Sequence, residues 1–134
     1  MLSIIITSIT GFISFAILDY TFLAKIAKNF YLTKLAAHIE IKDGSLVPYL
    51  PAVPIVYILA IIAIWIFVLN RVTTLQDAAL YGALLGFLMY AFYDFTNLAT
   101  LKGYPWSITI VDSIWGAVIV GTVTTIMFLV KSKF

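Results

Sequence analysis

Three aspartates, Asp19, Asp94 and Asp112, stand inside long apolar runs with no lysine or arginine in the same runs to pair them. A carboxylate within a membrane span is costly and rare, and by default it marks a functional site. Acidic side chains gathered without a counter-charge can bind a proton, a cation or a polar solute, or serve as general acid or base. Asn97 follows Asp94 by one turn, and Trp115 follows Asp112 by one turn, so each pair shares a helix face. Tyr90, Tyr93 and Thr96 surround Asp94 in sequence and are candidates to line the same site, with Tyr104 and Trp106 at its rim. Three close carboxyl groups with no basic partner cannot all stay ionised cheaply, so at least one aspartate, Asp94 foremost, is expected to carry a proton near neutral pH.

The elements that must position these residues are four runs of spanning length, which takes about 20 residues. They cover about 2–24, 51–69, 78–101 and 107–130. A helical rise of about 1.5 Å per residue puts Asp19 some 26 Å, and Asp94 some 24 Å, from the starts of their spans. Asp112 lies about 8 Å into the fourth span, which begins on the face where the first and third end. All three carboxylates thus fall at one level. A partial internal repeat points the same way: setting Gly11 on Gly86 also aligns Phe12 with Phe87, Phe15 with Tyr90, Asp19 with Asp94 and Thr21 with Thr96. Since each hairpin crosses twice, the first and third spans run the same way and the repeat is parallel. Gly82 and Gly86 form a Gly-x-x-x-Gly pair that suits close helix packing. Ser3, Thr7, Gly11 and Ser14 suggest the same for the first span.

Composition excludes a soluble globule. The 134 residues are 63% hydrophobic and 10% charged, where soluble domains carry roughly 25% charged residues. Without cysteine there is no disulfide, thiolate metal site or cysteine nucleophile. A net charge of +2 is too small to suggest nucleic acid. No basic residue precedes Lys25 and the first run ends in Asp19-Tyr20, so a cleaved signal peptide is not expected. No compact ligand spacing supports a metal, and there is neither a nucleotide-binding glycine loop nor a nucleophile elbow. No cofactor is therefore expected.

Between the first two spans, residues 25–50 place Ile26, Phe30, Leu35 and Ile39 near helical spacing, with lysines mostly off that stripe and Asp43-Gly44 as a stop. This reads as an amphipathic helix in the interface rather than an extension of the first span. His38 within it reads as an interfacial polar residue. The expected whole is a single all-α integral membrane domain of two helical hairpins with this interfacial helix added.

The run Tyr93-Asp94-Phe95-Thr96-Asn97-Leu98-Ala99-Thr100-Leu101, followed by Pro105, Val111-Asp112 and Trp115-Gly116, resembles a family of small bacterial predicted membrane proteins, the domain of unknown function numbered 2177. Leu18-Asp19 and Phe30-Tyr31 fit the same pattern. Tyr104, where the family usually shows Trp, and residues 42–54 depart from it. The resemblance implies a four-span protein, placed by its bacterial relatives in the inner membrane, and it supplies no activity.

Three functional classes follow. The first is a carboxylate cluster that binds or moves a proton, cation or small polar solute. The second is an enzyme acting on a lipid headgroup or isoprenoid, and the third an accessory subunit of a membrane assembly. The first ranks highest: no nucleophile or metal set favours an enzyme. The plainer alternative, aspartates that merely reach the headgroups or lock helices together, weighs more on Asp19 and Asp112 than on Asp94. Four spans are few for one pathway, so the expected partners are membrane lipids and further copies or a larger membrane complex. Lys25, Lys28, Lys34, Lys42 and Lys102 lie on the carboxylate side against Arg71, Lys131 and Lys133 on the other. Positive residues favour the cytoplasm, which puts the carboxylates near the cytoplasmic face and both termini outside.

Overall fold

A computed structural model describes residues 1–134. Helix α1 (Leu2–Thr21) continues through a widened π-type turn, Phe22–Ile26. A short helix α2 (Lys28–Lys34) and a two-stranded ribbon, β1 (Ile41–Lys42) with β2 (Ser45–Leu46), lead to α3 (Ala52–Ile64). That helix also ends in a π-type turn, Trp65–Leu69, and is followed by α4 (Leu75–Thr100) and α5 (Trp106–Lys131). Four of these are long and apolar enough to cross a membrane: Leu2–Ile26, Ala52–Leu69, Leu75–Thr100 and Trp106–Lys131. The protein is an all-α membrane protein.

Where helices start and stop follows local chemistry. Thr74 caps α4 by accepting the Asp77 amide at 3.1 Å, which satisfies one of the unpaired first-turn donors. Asp77 itself lies in that first turn, at the positive end of the helix dipole. Pro51 stands at the start of α3 and Pro105 at the start of α5, positions where a missing amide hydrogen costs nothing. At the far ends, Lys131 donates to the Leu69 carbonyl at 2.5 Å and lies over the Trp65 ring, tying the last turn of α5 to the last turn of the second span.

Helix α5 is the centre of the bundle, with ten buried residues against three to five on each other span. Helix α4 packs on it most extensively. Glycines make this possible: a methyl on Gly86 would strike the Gly116 carbonyl and come within 2.5 Å of the Val120 Cβ, and one on Gly82 would come within 2.6 Å of Thr124. The Gly-x-x-x-Gly pair thus meets small residues of the partner helix, as close packing requires. Helix α1 crosses the other side of α5, with Gly11 against Met127 and Phe22 stacked on Trp115 at 3.9 Å. Both α1 and α4 run antiparallel to α5, hence parallel to each other. Helix α3 leans on α1 through Tyr57 against Phe12 and Phe15, and through a 3.0 Å hydrogen bond from Trp65 to Ser8. The main core joins Phe15, Ile61, Ile64, Leu69, Ile119, Val120, Val123 and Met127. Isoleucine, leucine and phenylalanine side chains cover the outward faces, among them Ile13, Ile17, Leu59, Leu88 and Phe92.

The segment 25–50 holds the expected extra helix, α2, but only over Lys28–Lys34. Helix stops at Lys34, and the remainder turns back as a ribbon. Asp43 and Gly44 are not a helix stop but the two turn residues of that ribbon, with φ of 51° and 72°. Asp-Gly is a favoured pair for such a turn, which needs both residues left-handed. Of the expected apolar stripe, Ile26 is largely exposed, while Tyr31, off that stripe, is buried.

Candidate functional site

Each aspartate is held by an aromatic donor from a different element. Asp19, near the end of α1, accepts from the Tyr57 hydroxyl at 3.0 Å and from the Trp115 indole at 3.2 Å. Asp112, in the second turn of α5, accepts from the Tyr31 hydroxyl at 2.5 Å. Asp94, on α4, accepts from the Tyr104 hydroxyl at 2.7 Å. Gly103, with φ of 74°, lets the α4–α5 loop reverse so that Tyr104 reaches back to the helix it has just left. Asn97, one turn further along α4, stands on the same helix face as Asp94.

These pairs form one cluster. Asp94 and Asp112 lie beside each other on the packed helices α4 and α5, and Asp19 is within electrostatic reach of Asp112. Tyr90, packed on Gly116, lies within electrostatic reach of all three carboxyls, as does Tyr31. Burial, and then the Asp112 carboxylate, pushes the Tyr31 phenol well above the ordinary tyrosine range. Burial and the bond to Asp94 do the same to Tyr104. Both phenols therefore remain donors at any pH the protein meets. No lysine, arginine or histidine is among the groups acting on Asp19 or Asp112.

Asp94 differs from the other two. It is 0% exposed, and its Oδ2 has no hydrogen-bond partner. An unpaired buried acceptor costs about 1–3 kcal/mol, more when charged. The group beside it, Asp112, is another acceptor, so two ionised carboxylates would face each other in an apolar interior. A proton on either one turns that acceptor–acceptor contact into a hydrogen bond.

Of the residues singled out from sequence, Asp19, Asp94, Asp112, Trp115, Tyr90 and Asn97 come together. Tyr93 and Thr96 do not. Tyr93 is 63% exposed, and Thr96, also exposed, bonds its own helix at the Phe92 carbonyl. They sit about 100° and 200° around the helix from Asp94, which turns them to the outer face. Trp106 is likewise outside, edge-on to Phe95. His38 lies with its ring centroid 5.7 Å from that of Tyr104, at the edge of the cluster. The residues that sequence missed are Tyr31 and Tyr57. Tyr57 had a signal: it is the lone phenol in an aliphatic run, some five residues and thus about 8 Å into its span, the same depth as Asp112. No group of three or more His, Cys, Asp or Glu is arranged to hold a metal ion.

Residues 4–129 match the family described as Predicted membrane protein (DUF2177). No curated protein and no solved structure matches the chain.

Proposed function

The chain belongs to the DUF2177 family of predicted membrane proteins, and on that premise we propose that it binds a proton at the Asp94–Asp112 pair and exchanges it with the membrane face on which the cluster lies. The observation that carries this reading is the fully buried Asp94 with an unpartnered oxygen beside a second carboxyl. Two facing carboxylates in an apolar interior repel, and a proton on one or a cation between them relieves that repulsion. Tyr104 links Asp94 toward the surface, where the exposed His38 ring stands against it. A cation or small polar solute that replaces the proton would use the same acceptors. Carboxylates inside membrane spans mark ion pathways and proton relays.

In the half of the bundle away from the cluster, the buried or half-buried polar side chains are hydroxyls such as Thr7, Ser8 and Thr124. A continuous path through one chain would have to be built from these, so transport would draw on a second copy or another membrane subunit. A bacterial inner-membrane setting with the cluster toward the cytoplasm fits the lysine distribution.

The test is a comparison of Asp94→Asn with Asp94→Leu, read by infrared titration of the protonated carboxyl band and by thermal stability in detergent. Asp94→Asn keeps the shape and removes the titratable proton, so the band should disappear while the fold persists. Asp94→Leu should destabilise, because Tyr104 loses its acceptor. If the native protein shows no protonated carboxyl near neutral pH, or if Asp94→Asn leaves that band unchanged, the reading is wrong.

A further inference from the structure

Beside the carboxylate cluster, and separate from its buried pair, a cleft of about 540 Å³ opens between the end of α1 and the start of α3, with the β2 ribbon over it. Its walls are mostly apolar, including Leu23, Leu46 and Val53, and its polar groups include Asp19, Tyr57 and Lys28. The volume falls within the range of about 300–1,000 Å³ common to small-molecule sites. Neither Asp94 nor Asp112 lines it.

The charges in this cleft are arranged for an occupant. An ionised carboxylate offers about four acceptor positions, and on Asp19 two are filled, by Tyr57 and Trp115. No lysine, arginine or histidine hydrogen-bonds the carboxylate, whose donors are Tyr57 and Trp115, so its remaining acceptors are open to an occupant. Lys28 lines the same cleft from the first turn of α2, outside the spanning segment. Lys28 and Asp19 thus place a cation and an anion on one set of apolar walls. A free ion would leave those walls unused. An apolar molecule would leave both charges unused.

We infer that this cleft binds the headgroup and upper chains of a phospholipid bearing a primary amine, with the ammonium on Asp19 and the phosphate on Lys28. The lipid enters from the bilayer between α1 and α3, whose outward faces there are apolar. The volume holds a headgroup with the first carbons of the chains, and the rest of each chain remains in the membrane. Tyr57 serves both sides of the arrangement: its hydroxyl fixes Asp19, and its ring forms a wall. The inference goes beyond the proton reading and does not rest on it, since it uses a different carboxylate.

The experiment titrates the full-length protein in detergent with phosphatidylethanolamine or with phosphatidylglycerol of identical chains, and counts retained lipid by native mass spectrometry. One phosphatidylethanolamine per chain is expected, bound about tenfold more tightly than phosphatidylglycerol, as one charge-assisted hydrogen bond at a partly buried site allows. Asp19→Asn should reduce phosphatidylethanolamine to the level of phosphatidylglycerol. Lys28→Gln should weaken both lipids, and Lys34→Gln, on the exposed side of α2, neither. Val53→Trp, which fills the cleft, should abolish retention of both. Lys28→Gln and Val53→Trp leave the Tyr57 and Trp115 bonds in place, so they decide the matter should Asp19→Asn fail to fold. Equal retention of the two lipids by the native chain, or undiminished phosphatidylethanolamine binding in Val53→Trp, overturns the inference. Either failure leaves the Asp94–Asp112 pair untouched.

Discussion

Gly86→Ala should be among the most damaging single methyl additions in this protein. The added Cβ would collide with the Gly116 carbonyl and lie 2.5 Å from the Val120 Cβ, where ordinary contact needs about 3.4–4 Å. Neither neighbour is the far end of a flexible chain, so α4 must move away from α5 by roughly 1 Å along the line where the two are closest. Overpacking of this kind costs about 1–3 kcal/mol, and with backbone as the obstacle the upper end applies. Replacing a mid-helix glycine by alanine returns about 0.5–1 kcal/mol, which leaves a net loss of about 2 kcal/mol. Gly121 is the internal control. A methyl there meets Ala83 at 3.1–3.3 Å, a crowding that a few tenths of an ångström relieves, so Gly121→Ala should be close to neutral. Gly11→Ala meets the Met127 side chain, whose sulfur at 2.6 Å can swing aside. The assay is thermal or denaturant-induced unfolding of the three variants in one detergent, followed by tryptophan fluorescence. The Gly86 variant should also disturb Tyr90, which packs on Gly116 within the carboxylate cluster. If Gly86→Ala proved no worse than Gly121→Ala, the close α4–α5 contact would not be what holds this bundle.

Three other outcomes are expected. Tyr57→Phe and Trp115→Phe each remove one donor to Asp19 and should cost about 1.5–3 kcal/mol apiece, with a double variant that departs from additivity because both act on one carboxylate; a strictly additive cycle would mean that the two donors do not share it. Stability should fall as pH rises above about 10, the ordinary tyrosine value, because Tyr31 and Tyr104 are raised in the folded state and the unfolded chain loses those protons first; Tyr31→Phe and Tyr104→Phe together should flatten that alkaline slope in a pH series of unfolding midpoints. A reporter joined after Phe134 should register the non-cytoplasmic side, and activity of a reporter that works only in the cytoplasm would reverse the assigned orientation.

What the sequence disclosed and what it hid divide along a physical line. The spans were legible because each is a run of apolar residues of membrane length, and the common level of Asp19, Asp94 and Asp112 followed from helical rise alone. Gly82 and Gly86 were legible as a packing face for the same reason, since residues four apart on a helix share a side. Tyr93 and Thr96 were misjudged because nearness in sequence was taken for nearness in space, whereas one step along a helix is about 100° of rotation. Tyr57 could have been found by applying to the second span the depth arithmetic used for the other three. Tyr31 could not. Its place under Asp112 depends on a break after Ile26 and a short helix turned back beneath the bundle, and neither leaves a periodic trace. The helix expected within 25–50 is shorter than its pattern suggests, because an Asp-Gly pair ends a helix and turns a ribbon equally well.

The bond between Asp19 and Trp115 joins residues 96 positions apart. When α1 enters the bilayer during synthesis, neither Tyr57 nor Trp115 has yet been made. The carboxylate must therefore wait near the headgroups, within reach of water, while two further crossings are completed behind it. Only the arrival of α5 supplies the second of its two donors. The first helix to be threaded into the membrane is thus among the last to complete its polar contacts, and a chain interrupted before Trp115 would hold an Asp19 with one of its two donors missing.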